Sequence, residues 1–336
     1  QFNRVFSNSS NNNNNNTNNT NNKQLNLLLK NNKAPDFLKS YWNPNNFNIL
    51  LSVLYLYKKH KSVLCKPIGY LFDRKYNTHP LVKSDFEITF EPPSDFDFFE
   101  DENRAMSDTE KQILSKYEIK FPKSYDLVGY RGRDVWKGGP FFESLLECKA
   151  QGKRFYVSIL SIETATTFHD NILIFDLEKN TCERFEPYGS QYLTKGIKAT
   201  LYNIFITSVS KLFDKKMKSI LKLHKFRYIR PIDYCPKESF QIYNNLENNS
   251  TNTNNRDPVG FCSVWSLWWA DLRLSNPDIP YDKLVTLSFD KINKIGFRKF
   301  IRSYSIFLTT HITSLFNELK VSPENQQKML NSKNWH

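Results

Sequence analysis

Glycine is scarce in this sequence, at 10 of 336 residues, and no Gly-x-Gly-x-x-Gly run occurs. That excludes the phosphate-cradling turn of a dinucleotide-binding domain. The five cysteines, at 65, 148, 182, 235 and 262, form no Cys-x-x-Cys pair. A zinc ribbon and a thioredoxin-type motif are therefore excluded, and free thiols in a reducing compartment are expected. Long apolar runs are absent too. The longest, Ile49 to Tyr57, is interrupted by Ser52 and is too short to span a bilayer. No signal peptide is legible, and the first residue is Gln1 rather than Met, as expected of a chain that has lost an earlier segment.

What the chain has is cationic and aromatic. Lys and Arg number 47 against 34 Asp and Glu, for a formal net charge of +13. These cations are spread along the chain rather than clustered, so nucleic-acid binding is allowed but not demanded. Hydrophobic residues make up 39%, with 27 Phe and 17 Tyr, which is enough for a core and excludes collagen-like or wholly disordered classes.

Residues 1–34 form an Asn-rich tail with no apolar surface to offset ordering entropy, and they are expected to be disordered. An accessory region of residues 35–140 follows. It holds a helix over Phe47–Lys59, an acidic loop over Ser94–Glu102 and a capping box at Ser107–Glu110 that opens a helix through Lys116. Residues 141–320 form the organised core, and 321–336 a C-terminal tail. Within the core, Arg154–Ile162 is expected as a strand. Asn171–Asp176 is expected as a strand buried on both faces, Leu177–Asn180 as a turn and Thr181–Phe185 as the returning strand. A helix over Gln191–Phe213 and a strand over Phe226–Pro231 follow. Asn244–Asn255 reads as an Asn-rich loop insertion. The helix over Cys262–Leu274 stops before Asn276-Pro277, and the chain from Tyr281 on is mostly helical. Strands among helices make the class α+β.

Three pieces of this core carry chemistry: His169 heading a strand, Phe185-Glu-Pro-Tyr-Gly189 ending the next, and Gly260-Phe-Cys262 heading an aromatic helix. If Asp176 faces Lys179 across the turn, partner numbers add to 355, and His169 lies directly opposite Glu186 on one face. A one-residue slip would separate them onto opposite faces. A carboxylate held against an imidazole fixes the tautomer and stabilises the imidazolium. A thiol at a helix N-terminus meets backbone N–H groups and the helix dipole, which favour thiolate and offer donors to an oxyanion. The plain alternative is that Cys262 is a small core hydrophobe and that Trp265, Trp268 and Trp269 are core as well.

The segment His169-Asp-Asn-Ile-Leu-Ile-Phe175, with Lys179-Asn-Thr-Cys-Glu-Arg-Phe-Glu-Pro-Tyr-Gly189, resembles the His strand and Phe-Glu-Pro-Phe-Gly segment of adenovirus-type cysteine proteases. That family is related to the ubiquitin-like-protein-specific proteases. Phe261-Cys-Ser-Val-Trp-Ser-Leu-Trp-Trp269 with Asn276-Pro-Asp-Ile279 is most similar to its branch in large DNA viruses. The likeness covers roughly residues 154–280. It implies a papain-like, adenain-like core, with a central mixed sheet flanked by helices and the nucleophile at a helix N-terminus.

By the same resemblance His169 is the base, Glu186 the orienting acid, Cys262 the nucleophile and Gln241 the oxyanion-hole donor. Three positions depart from the family pattern. Ser263 follows the nucleophile where Gly is usual, Asp170 follows the His where Trp is frequent, and an Asn-rich stretch separates Gln241 from Cys262. Glu238, Asn171 and Asp176 are the neighbouring polar alternatives to Gln241, with Asp176 better suited to the turn.

The implied activity is thiol-dependent peptide hydrolysis with no metal or organic cofactor. The substrate is a polypeptide, either a viral structural (capsid or core) precursor or a ubiquitin-like conjugate. A catalytically silent virion protein that binds nucleic acid non-specifically is the reading from a different class. No membrane partner is expected. The expected location is the virion or the host cytoplasm, in a giant virus or an AT-rich protist.

Overall fold

The computed structural model describes residues 46–65, 72–74, 139–163, 168–190, 214–215, 217–250, 261–318, 322–324 and 326. The expected Asn-rich tail, acidic loop, Ser107–Lys116 helix and Gln191–Phe213 helix lie outside them. The chain forms two compact units. One holds the described residues up to Leu56 together with those from Phe240 onward, and the other runs from Tyr57 to Ser239. The expected core of 141–320 contributes to both.

The 57–239 unit is built on an open mixed sheet. Its strands are β1 (Phe72–Arg74), β2 (Phe155–Glu163), β3 (Phe168–Asp176), β4 (Thr181–Phe185) and β5 (Arg227–Ile229), in the spatial order β1-β2-β3-β4-β5. The pairs β2–β3 and β3–β4 are antiparallel, whereas β1–β2 and β4–β5 are parallel. The class is α+β, as the sequence predicts.

Strand β3 is central because its apolar run, Ile172-Leu-Ile-Phe175, can be buried on both faces, and all four residues are buried. Its turn is chemical as well as geometric. Asp176 Oδ1 accepts the Glu178 and Lys179 N–H groups at 3.2 and 3.1 Å, and Asn180 takes φ of 48°. This is the turn role expected of Asp176. Strand β4 follows with the bounds expected from its sequence. Strand β2 starts and ends one residue later than expected. Strand β5 is shorter than expected, because Pro231 opens a short helix, α3 (Pro231–Tyr234), at the position where proline suits a first helical turn.

Helix α2 (Gly139–Ala150) precedes β2 and carries Cys148, which forms a disulfide with Cys65 across a Cα–Cα distance of 5.9 Å. This corrects the expectation of five free thiols. Cys65 N donates to Phe155 O at 2.8 Å and Lys153 N donates to Cys148 O at 3.2 Å. The first residue of β2 and the segment just before it therefore hold the two cysteines in place. Sequence spacing could not reveal a pair 83 residues apart. The inference of a reducing compartment from the cysteine pattern loses its premise for this pair.

The other unit is helical: most of α1 (Asn46–Lys59), then α4 (Phe240–Asn249), α5 (Cys262–Ser275), α6 (Tyr281–Asn293) and α7 (Phe297–Glu318). Helix α5 is its axis, and every residue from Cys262 to Leu274 is buried. Phe240 packs 5.4 Å from the Trp265 ring and 5.0 Å from the Trp268 ring, and Phe300 stacks on Trp265 at 5.7 Å. Such ring pairs contribute about 0.5–1.5 kcal/mol each beyond their burial.

The reading of Asn244–Asn255 as a loop insertion is corrected for its first part. Helix α4 runs through Asn249. Asn is a poor helix former, but tertiary contacts outweigh propensity here. Tyr243 stacks on Phe297 at 5.1 Å, and Glu247 accepts the Phe297 and Arg298 N–H groups at 3.0 and 2.7 Å. Glu247 thereby satisfies two of the unpaired donors at the N-terminus of α7.

Candidate active site

The antiparallel register of β3 and β4 pairs Asp176 with Thr181 and Ile172 with Phe185, so partner numbers add to 357 rather than 355. The two-residue difference preserves the face and changes the partner. His169, Asn171, Arg184 and Glu186 fall on one side of the sheet, as the alternation requires. Glu186, one residue past the end of β4, reaches His169 diagonally rather than from directly opposite.

The contact is made. His169 Nε2 lies 2.6 Å from Glu186 Oε1, with both side chains fully buried. A ring nitrogen this close to a buried carboxylate is a donor, so the Nε2–H tautomer is selected and the neutral ring carries its lone pair at Nδ1. Glu186 is itself held on both oxygens. Oε1 also accepts the Tyr188 N–H at 3.1 Å, and Oε2 accepts from Arg184 Nη1 at 3.4 Å. The Tyr188 ring lies beside the imidazole, with centroids 5.0 Å apart.

The Phe-Glu-Pro-Tyr-Gly turn is locked by its glycine. Gly189 takes φ of 102°, and its N–H donates to Glu186 O at 3.0 Å. A Cβ at this position would lie 2.6 Å from Pro236 O and 2.8 Å from Lys237 O. The neighbouring backbone is fastened to the same loop. Ser190 N donates to Pro236 O at 2.9 Å, and Ser239 N donates to Tyr188 O at 3.0 Å.

Sequence reasoning did not find Arg184. Its guanidinium is buried and grips Asp214 with two bonds of 2.9 Å, Nε to Oδ1 and Nη2 to Oδ2. Tyr228 OH accepts from Arg184 Nε at 3.2 Å and donates to Asp214 Oδ1 at 2.7 Å, while Asn171 Oδ1 accepts from Arg184 Nη1. Burial alone would push the Arg184 pKa down. Asp214, Tyr228 and Glu186 outweigh it and hold the group well above its ordinary value, so it stays charged. The available signal was positional: Arg184 lies two residues before Glu186 and so shares its face.

Cys262 and Gln241 belong to the other unit. Cys262 is a free, buried cysteine at the first position of α5, preceded by Phe261, which supplies no capping side chain. It is therefore placed at the helix N-terminus, as expected. Gln241 is the second residue of α4, fully buried, and its Oε1 has no hydrogen-bond partner among the described residues. Ser263 and Asp170, the departures from the family pattern, are both buried. Of the polar alternatives to Gln241, Asn171 is engaged by Arg184, Asp176 by the turn and Arg154, and Glu238 is half-buried.

The other two free thiols, Cys182 and Cys235, are buried, and burial pushes both well above the ordinary thiol range. Among the described residues no group of three or more His, Cys, Asp or Glu is placed to hold a metal. No described helix is long and apolar enough to cross a membrane.

Compared with known proteins, the chain matches a relative in Acanthamoeba polyphaga mimivirus that is named as an ankyrin repeat protein. The two are 38% identical over 163 residues, which is 46% of this chain and 20% of that protein. The chain thus spans about a fifth of the length of the curated relative it matches. No family model matches the chain, and no solved structure matches it.

Proposed function

We propose that this chain is a thiol endopeptidase with a papain-like, adenain-like arrangement. In it Cys262 is the nucleophile, His169 the base, Glu186 the orienting acid and Gln241 the oxyanion donor. The observation that supports this reading most is the buried 2.6 Å hydrogen bond between His169 Nε2 and Glu186 Oε1, whose carboxylate is satisfied on both oxygens. A buried imidazole with a carboxylate on one nitrogen is equipped to receive a proton on the other.

The reading requires Cys262 Sγ to meet His169 Nδ1 when the enzyme acts. The thiol proton then passes to Nδ1, and the sulfur attacks the substrate carbonyl carbon. The oxyanion takes hydrogen bonds from the Gln241 amide and the Cys262 N–H, worth about 3 kcal/mol per donor in comparable sites. The imidazolium returns its proton to the leaving amine, and water hydrolyses the thioester. Structural precursor polypeptides are the proposed substrates, with ubiquitin-like conjugates the nearest alternative. The virion or host cytoplasm is the proposed place of action.

The test is the alkylation rate of Cys262 against pH, followed by peptide mapping so that the other thiols are separated. Fast alkylation below the ordinary thiol range of about 8.5, lost in His169→Ala, is expected. The Cys262→Ala protein is expected to lose cleavage of any substrate found. Slow alkylation that is the same in both proteins, or cleavage retained by Cys262→Ala, would overturn the proposal.

The net charge of +13 favours a second reading, in which the chain binds nucleic acid without catalysis. Binding that weakens steeply with salt, from a protein whose Cys262 alkylates as an ordinary thiol, would be its signature.

A further inference from the structure

We infer that Arg184 is a positioning residue for the His169–Glu186 pair, acting through a buried relay that runs Asp214–Arg184–Glu186–His169. The inference rests on the thiol-protease reading and deepens it.

The geometry divides the guanidinium in two. Its Nε and Nη2 edge is spent on Asp214, at 2.9 Å each, with Tyr228 closing the same edge. That leaves Nη1 to reach Glu186 Oε2 at 3.4 Å and Asn171 Oδ1 beside it. A bidentate carboxylate grip fixes the plane of the fork, and so fixes where Nη1 points. Asn171 lies two residues from His169 on β3, and Arg184 two residues from Glu186 along the chain. The fork therefore ties together the two segments that carry the pair.

Charge argues the same way. Written in order, the four groups are anionic, cationic, anionic and imidazole, so protonating His169 makes the buried set neutral. Without Arg184, the buried Glu186 carboxylate would face a neutral ring with no cation on its Oε2, a setting that favours its protonated form. A protonated Glu186 no longer supports the imidazolium. The charged and titratable groups around the relay, among the described residues, are His169, Glu186, Asp214, Tyr228 and Arg230, with Glu183 and the neutral thiols of Cys182 and Cys235 close by. The Arg184 guanidinium reaches Glu186 directly, whereas Arg230 pairs with Asp233 and acts on Asp214 and Tyr228 at the far end of the relay.

The experiment compares the full-length parent with Arg184→Met, Arg184→Lys and Asp214→Asn. It follows Cys262 alkylation against pH, and the His169 tautomer by nitrogen NMR. Folding of each variant is checked by thermal melting. The parent is expected to show the Nε2–H tautomer. Arg184→Met is expected to alkylate about tenfold more slowly near neutral pH, to move the acid limb up by about one pH unit and to mix the tautomers. Arg184→Lys keeps the charge but loses the fork, so it should keep the acid limb while losing part of the rate.

If Arg184→Met fails to fold, Asp214→Asn decides, because it leaves the cation in place and reduces its bidentate, charged grip to at most one neutral hydrogen bond. A partial loss of rate with a mixed tautomer is expected there. A folded Arg184→Met, or in its absence Asp214→Asn, with the parent's pH profile and tautomer would overturn the inference. A parent that shows no His169-dependent alkylation fails the protease reading instead, and the tautomer comparison still reports on Arg184.

Discussion

Gly189 shows how one residue can be fixed by its surroundings rather than its chemistry. A methyl group there would meet two backbone carbonyl oxygens inside 3 Å, at a φ of 102° that side chains rarely adopt. Gly189→Ala is therefore expected to destabilise the fold by about 2–4 kcal/mol. Urea denaturation of the two proteins measures it directly, and an unchanged midpoint would mean that the Pro236–Lys237 loop yields. At this scale His169 and Glu186 were legible in the sequence, because strand parity survives a two-residue error in register. Arg184 was not. Arginine is almost never fully buried unless paired, and its partner Asp214 lies 30 residues away.

Among the elements, the strands read most clearly. The β3–β4 hairpin carries its own punctuation: an unbroken apolar run, an Asp that binds the turn and an Asn in the left-handed region. Helix α4 was misread because composition outweighed context. Its Asn-rich end is helical where Tyr243 and Glu247 find partners on α7. The disulfide between Cys65 and Cys148 was invisible for a different reason, since spacing says nothing about which cysteines a sheet will bring together. Closing a loop this long limits the unfolded chain, and Cys148→Ser is expected to lower stability by about 2–4 kcal/mol. The check is thermal melting with and without reductant. The parent should fall toward the variant when reduced, and a parent insensitive to reductant would show that the bond contributes nothing.

At the scale of the whole molecule, buried acids set how the protein responds to base. Burial raises Cys182, Tyr228 and Tyr234 in one unit and Tyr55 and Tyr304 in the other, all well above their ordinary values. In the unfolded chain these groups release protons near about 8.5 for thiols and about 10 for phenols. Above those values the unfolded state holds fewer protons than the folded one, so stability falls as pH rises. Urea midpoints are expected to be level between about pH 7 and 8 and to drop by about pH 10; a flat profile across that range would show that the phenols and thiols ionise without unfolding.

The covalent bond between Cys65 and Cys148 also bears on what the protein's own breakdown would look like. A peptide bond severed anywhere between those two cysteines adds one water and releases nothing, because the sulfur bridge still joins the fragments. Such a nicked molecule would run as one band on a denaturing gel without thiol and as two with it. Self-processing in that interval would escape notice in any assay that watches only for a lost piece.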